Sequence, residues 1–197
     1  RATAWWPVGL ADIVAWWPEL ADFGPADEDL VDYYLETNEN LVRELRNAPT
    51  DLECRTFLEA PSPLAMWARR QAHETAIHRF DAESATSQTS PFSPEFAADG
   101  IDELLMAFAP RGNSFPVESD HTMSVRAADT GDSWLVTMTP TGITSARADE
   151  GADVVLEGAA HDLYLAVWNR GDDEGVGFSG DKRAFTAWRE GHRIRWS

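Results

Sequence analysis

The stretch RRQAHETAIHRFDAE, residues 69–83, decides how this chain is read. It holds no proline or glycine and is rich in alanine, glutamate, glutamine and arginine, all good helix formers. Just upstream, Ser62-Pro63 supplies a cap followed by proline at the first helical position, so a helix is expected over 62–85. With Glu74 at zero and about 100° per residue, His78 falls at about 40°, Asp81 at about −20°, Trp67 at about 20° and Gln71 at about 60°. Arg69, Arg79 and Glu83 fall on the other side, the expected solvent face. Glu74, His78 and Asp81 therefore share the face that carries Trp67 and Ile77, and this face is expected to point inward. His73, at about −100°, lies off the stripe, and Arg70, at about −40°, is placed to pair with Glu74.

An inward carboxylate and imidazole need partners, because an unpaired buried charge is costly. Spacing alone leaves two readings open. A Glu and a His four residues apart reach one metal ion together, with Asp81 orienting the His78 ring from behind. Alternatively, the two form a hydrogen-bonded pair that meets an arginine of a neighbouring helix.

Working toward the N-terminus, a second helix is expected over 27–47. Asp27, Glu28 and Asp29 suit its positive end, and Pro49 follows its stop. Leu30, Tyr34, Leu41 and Leu45, flanked by Val31 and Val42, make its expected inward stripe. AWWP occurs at 4–7 and again at 15–18, a spacing close to three helical turns; the tryptophan pairs read as packing anchors.

Toward the C-terminus, SQTSPFSP (87–94) is rich in turn formers and reads as an interdomain connection. A helix is expected over 96–108, slightly weakened by Gly100. The period then changes: Met123, Val125 and Ala127 alternate with polar residues, as do Trp134, Val136 and Met138, and the DTGD turn at 129–132 joins them as a hairpin. Further strands are expected at 143–148, 153–157, 176–179 and 192–196, with helices at 159–170 and 181–190. The fold class is α+β: an all-α domain over 1–88, then a small α+β domain over 95–197.

Composition sets the outer limits. The 197 residues include 34 acidic and 16 basic side chains, a formal net charge of −18, and Lys182 is the only lysine. Such a balance argues against nucleic acid, whose phosphates need basic patches, and against anionic membrane surfaces. Pro7, Asp12 and Pro18 interrupt every apolar run near the N-terminus, and no run approaches the roughly 20 apolar residues that span a bilayer. The lone Cys54 excludes an intramolecular disulfide and reads as a structural thiol, and a cytoplasmic setting is expected. His121 and His161 read as ordinary strand and helix residues.

The string RRQAHETAIHRFDAE, followed by FAADGIDELL at 96–105, resembles the mycothiol-dependent maleylpyruvate isomerase family of actinobacteria. The resemblance runs over most of the chain from about residue 60 and implies a DinB-like four-helix bundle followed by a smaller domain resembling sterol-carrier proteins. It implies a divalent metal, usually zinc, held by a histidine on an early helix and by the motif's Glu and second His, here Glu74 and His78. No histidine precedes His73, so the early one is expected upstream of Arg1, with one or two helices of the bundle. The resemblance further implies that the thiol cosubstrate mycothiol takes the open metal position and adds to the cis double bond of a small anionic substrate such as maleylpyruvate. It also points to an arginine of the second domain, for which Arg170 is the candidate to clamp the substrate carboxylate, ahead of Arg193 and Arg195. Arg170 also reads as a plain cation at a helix C-terminus. Thiol transfer to another electrophile is the neighbouring expectation, and a non-catalytic metal- or lipid-binding protein on the same scaffold is the competing one.

Overall fold

The computed structural model describes residues 25–86, 88–112 and 114–192. The chain divides into two compact units, Arg1–Ala82 and Glu83–Ser197. The AWWP echo, Arg193, Arg195 and the strand expected beyond His192 lie outside the described residues.

In the first unit, a single 3-10 turn, Asp27–Asp29, leads into helix α1, Leu30–Asn47. The acidic start and the stop before Pro49 follow the sequence closely. Its side chains do not: α1 has no buried residue, and Leu30 and Tyr34 are 54% and 52% exposed, where an inward stripe was expected. Leu41, Val42 and Leu45 are half-buried. The irregular segment that follows is tied to the next helix through Trp67, whose indole donates to the Arg55 carbonyl at 3.0 Å and meets the Phe57 ring edge-on at 5.6 Å.

Helix α2 runs over Pro63–Ser84. Ser62 caps it, its hydroxyl accepting from the Ala65 amide at 3.1 Å, with Pro63 in the first turn where a missing N–H costs nothing. Its buried residues are Met66, Arg70, His73, Ile77 and Phe80. On the same wheel these occupy about −40° to −120°, so the buried stripe is centred near −80° rather than on Glu74. His73 is therefore inside, at 1% exposure, and Glu74, His78 and Asp81 flank the stripe instead of forming it. The apolar residues alone were too few to fix the rotation, because two of the five inward positions are Arg and His.

In the second unit, Ser93 caps helix α3, Pro94–Asp102, by accepting from the Phe96 amide. The helix continues through a π-helical segment, Glu103–Phe108, and a 3-10 turn, Ala109–Arg111. Ile101 of the α-helical part and Leu104 and Leu105 of the π-helical part are all buried. Five strands follow: β1 His121–Ala127, β2 Ser133–Thr139, β3 Gly142–Ala146, β4 Val154–Gly158 and β5 Val176–Gly180. They form one mixed sheet in the order β3-β2-β1-β4-β5, antiparallel except for the β1–β4 pair. The expected hairpin is β1–β2, turned at Gly131 with φ of 77°. Its alternation is as read: Met123, Val125, Ala127, Trp134, Val136 and Met138 are all buried.

Helices α4, Ala160–Val167, and α5, Arg183–Gly191, complete this unit. Indole donors fasten its layers: Trp134 to the Asp102 carboxylate at 3.1 Å, Trp168 to the Gly100 carbonyl at 3.3 Å, and Trp188 to the Val167 carbonyl at 3.0 Å. Each places a large apolar body in the core while satisfying its one polar atom. The chain is thus α+β, helical first and then built on a five-stranded sheet. Among the described residues no helix is long and apolar enough to cross a membrane.

Candidate functional site

On the rim of α2's buried stripe, four side chains form one chain of contacts. Arg70 is almost fully enclosed, and its Nη2 donates to Glu74 Oε2 at 2.8 Å. The other oxygen, Glu74 Oε1, stands 3.1 Å from His78 Nε2. The second ring nitrogen, His78 Nδ1, stands 3.2 Å from Asp81 Oδ2. Local geometry explains the set: the i,i+4 and i,i+3 spacings bring side chains together one turn apart on an unbroken helix. His78 is 57% exposed and Glu74 29%, so the Glu–His edge is open while the arginine behind it is not.

The chemistry of this chain is more specific than that of a surface ion pair. Both flanking groups are carboxylates, which only accept, so His78 either donates from both ring nitrogens as the imidazolium or donates to one carboxylate and turns a lone pair to the other. In the tautomer that donates Nδ1–H to Asp81, Nε2 and Glu74 Oε1 would face each other as two lone-pair donors that a cation could bridge. An oxygen and an imidazole nitrogen converging from one helix face suit zinc and its neighbours. The Asp81 contact is of the kind that orients a histidine toward a metal ion. Glu74 Oε1 and His78 Nε2 are thus chemically suited to a divalent ion and would supply two of its ligands. Among the described residues no group of three His, Cys, Asp or Glu side chains is placed to hold a metal. The third ligand that the resemblance implies, a histidine on an earlier helix, has no counterpart in the sequence, since no histidine precedes His73.

The remaining candidates separate cleanly. Arg170 lies in the second unit, just past α4, half-buried, with Nη1 donating to the Trp168 carbonyl at 3.1 Å. This is the position of a cation at a helix C-terminus. His161 is engaged in packing: its Nδ1 accepts from the Phe92 amide at 3.1 Å, and its ring lies tilted against the Phe92 ring at 5.4 Å. His121 begins β1, half-buried, and Cys54 is a free, half-buried thiol. His73, which the wheel set aside, is one of the most deeply buried side chains of α2. No hydrophobic pattern signals a buried histidine; only the 66-70-73-77-80 spacing does, once Arg70 and His73 are counted as inward.

Residues 4–83 match the mycothiol maleylpyruvate isomerase N-terminal domain, and residues 95–187 match the MDMPI C-terminal domain. No curated protein matches the chain. Among solved structures it is similar to the stereoselective inverting sec-alkylsulfatase Pisa1 from Pseudomonas sp., with 16% identity and a TM-score of 0.32 over 36% of this chain and 12% of that one. The chain thus spans 12% of the sulfatase's length. It is also similar to the ubiquinone synthesis protein UbiJ-SCP2, with 12% identity and a TM-score of 0.29 over 65% of this chain and 95% of that one. Sterol carrier protein 2 like 2 from Aedes aegypti gives 16% identity and a TM-score of 0.27 over 61% and 96%.

Proposed function

The chain belongs to the mycothiol maleylpyruvate isomerase family, and from that membership and the Glu74–His78 geometry we propose that it is a divalent-metal-dependent, mycothiol-dependent isomerase or thiol transferase acting on a small anionic unsaturated substrate such as maleylpyruvate. The observation that carries the reading is the facing of Glu74 Oε1 and His78 Nε2 at 3.1 Å, with both outer atoms of the pair already engaged by Arg70 and Asp81. Residues 1–88 are taken as the metal-binding helical half and 95–197 as the second domain, in a cytoplasmic protein.

In this reading Glu74 would hold the ion through Oε1, since Arg70 engages Oε2. His78 would hold it through Nε2, with Asp81 at Nδ1. A zinc ion held there would supply the charge that keeps a thiol ionised near neutral pH. Arg170 is proposed to orient the substrate carboxylate through its planar guanidinium. The thiolate sulfur would add to one carbon of the cis double bond, pushing the π pair onto the conjugated carbonyl as an enolate; the resulting single bond would rotate, and return of that pair would re-form the double bond and expel the thiolate to give the trans isomer. If the adduct is retained instead, the outcome is thiol transfer.

The test is conversion of maleylpyruvate by the purified chain with mycothiol and zinc, followed by product identity. The trans isomer is expected, with Glu74→Gln and His78→Ala each lowering turnover by about 100-fold or more, the usual scale for losing a metal ligand. A stable thiol adduct selects the transferase. Neither product, under conditions where the protein is folded and metal-loaded, overturns the proposal.

A further inference from the structure

The second unit contains a cleft of about 410 Å³ that none of the chemistry above uses. One wall is a single face of α5, carrying Lys182, Phe185 and Arg189. The other is the acidic loop at 172–174, and Val176 and Phe178 of β5 lie between. At this size the cleft sits at the small-molecule end of ligand sites.

The loop turns through three left-handed residues, Asn169, Gly171 and Asp173, with φ of 59°, 72° and 64°; glycine takes this region freely, and asparagine and aspartate take it more readily than other L-residues. Three hydrogen bonds tie the loop to α5 and its cap: Asn169 Nδ2 donates to the His192 carbonyl at 2.9 Å and to the Arg189 carbonyl at 3.4 Å, and Arg189 Nη2 donates to Asp173 Oδ1 at 2.7 Å. Arg189 in turn lies over the Phe185 ring at 4.9 Å, and Phe185 meets Phe178 at 5.1 Å. The walls of the cleft are therefore fixed before any ligand arrives.

Asp173 and Arg189 form an ion pair, which leaves one cation and two carboxylates lining the cleft. Lys182, the only lysine of the chain, has its ammonium 4.4 Å from the centre of the Phe178 ring and acts electrostatically on the Asp173 carboxyl, with no direct salt bridge among the described residues. Opposite it, Asp172 and Glu174 are exposed carboxylates on the rim. The lysine stem is flexible, so its ammonium can leave the ring for a stronger anion while the ring accepts an apolar group.

We propose that this cleft binds a small zwitterion with an apolar body, an apolar α-amino acid being the simplest case, with its carboxylate on Lys182, its ammonium on Asp172 or Glu174, and its side chain against Phe178 and Val176. The overall charge of −18 favours this class over a simple anion, because a zwitterion carries no net charge to be repelled. A simple cation would satisfy the carboxylates and leave Lys182 without an anion.

The experiment is titration of the isotope-labelled chain by amide NMR, with calorimetry, using three probes: L-phenylalanine, 3-phenylpropionate and phenethylamine. L-phenylalanine is expected to saturate shifts at Val176, Phe178, Lys182 and Phe185. Loss of either charged group from the probe, or Lys182→Gln, is expected to weaken binding by about 10-fold or more, the scale of one charge-assisted hydrogen bond. Lys182 and Asp172 are exposed, so Lys182→Gln and Asp172→Asn leave the fold intact. Glu74→Gln is expected to leave this binding unchanged, which keeps the cleft separate from the metal reading. Absence of saturable shifts, equal binding of all three probes, or full affinity in Lys182→Gln overturns the proposal.

Discussion

Replacing Asp81 by asparagine isolates the part of the metal reading that the helix geometry contributes by itself. Asp81 is a half-buried residue whose Oδ2 lies 3.2 Å from His78 Nδ1. Asparagine keeps the shape but carries no charge, and its amide turns its NH2 to the ring as readily as its oxygen. The ring then loses its preference for presenting a lone pair at Nε2. Second-layer substitutions of this kind cost about 10–100-fold in metal affinity, or about 1.4–2.7 kcal/mol. Stability should move much less, because an i,i+3 pair in which His78 is 57% exposed contributes about 0–1 kcal/mol. The assay is zinc affinity by competition with a chromophoric chelator, run beside a urea melt, with Arg79→Ala on the solvent side of the same helix as control. The expected pattern is affinity down by at least 10-fold in Asp81→Asn, unchanged in Arg79→Ala, and similar urea midpoints in all three. If Asp81→Asn binds zinc within twofold of wild type, the claim that Asp81 orients His78 is wrong.

Three other outcomes follow from the fold. His192 is stacked on Trp188 at 4.5 Å, and burial holds its pKa down to about 4 against 6.5. Because the folded value lies below the unfolded one, this histidine supports stability above about pH 6.5 and loses it as pH falls toward 4, a swing of up to about 3 kcal/mol; urea midpoints between these pH values should fall in wild type and flatten in His192→Gln. Gly180 closes β5 with φ of 91°, and a Cβ there would run into the Asp153 carbonyl, so Gly180→Ala should lower stability by about 2 kcal/mol or more in thermal unfolding. Ser62→Ala removes the cap of α2 and should cost about 1 kcal/mol in the same measurement.

Much of the second unit is legible in the residues because its strands alternate cleanly. Met123-x-Val125-x-Ala127 and Trp134-x-Val136-x-Met138 leave one register for the hairpin, and the turn residues between them agree. The sheet order is not legible: the parallel pairing of β1 with β4 depends on which strands meet across the intervening chain, and no local pattern encodes it. Nor is the π-helical segment at 103–108, since ELLMAF has no residue that demands a wider turn. For the candidate site, spacing alone brings Glu74, His78 and Asp81 together, and the structure places them in contact. The inward direction assigned to them was off by roughly 80° because Arg70 and His73 occupy buried positions that hydrophobicity cannot mark. That rotation changes the chemistry of the pair. An exposed Glu–His edge backed by a buried arginine is open to an incoming ion, whereas a fully buried pair would be closed to it. The cleft beside α5 depends on three left-handed residues in NRGDDEG, of which Gly171 announces a turn while Asn169 and Asp173 mark theirs only weakly.

The central claim is that Glu74 and His78 hold a divalent ion, and equilibrium dialysis of the purified chain against zinc tests it most directly. One ion bound per chain in wild type, lost in both Glu74→Gln and His78→Ala while each variant keeps its wild-type circular dichroism, is the predicted result. Absence of stoichiometric zinc in wild type, or full binding retained by both variants, would contradict it.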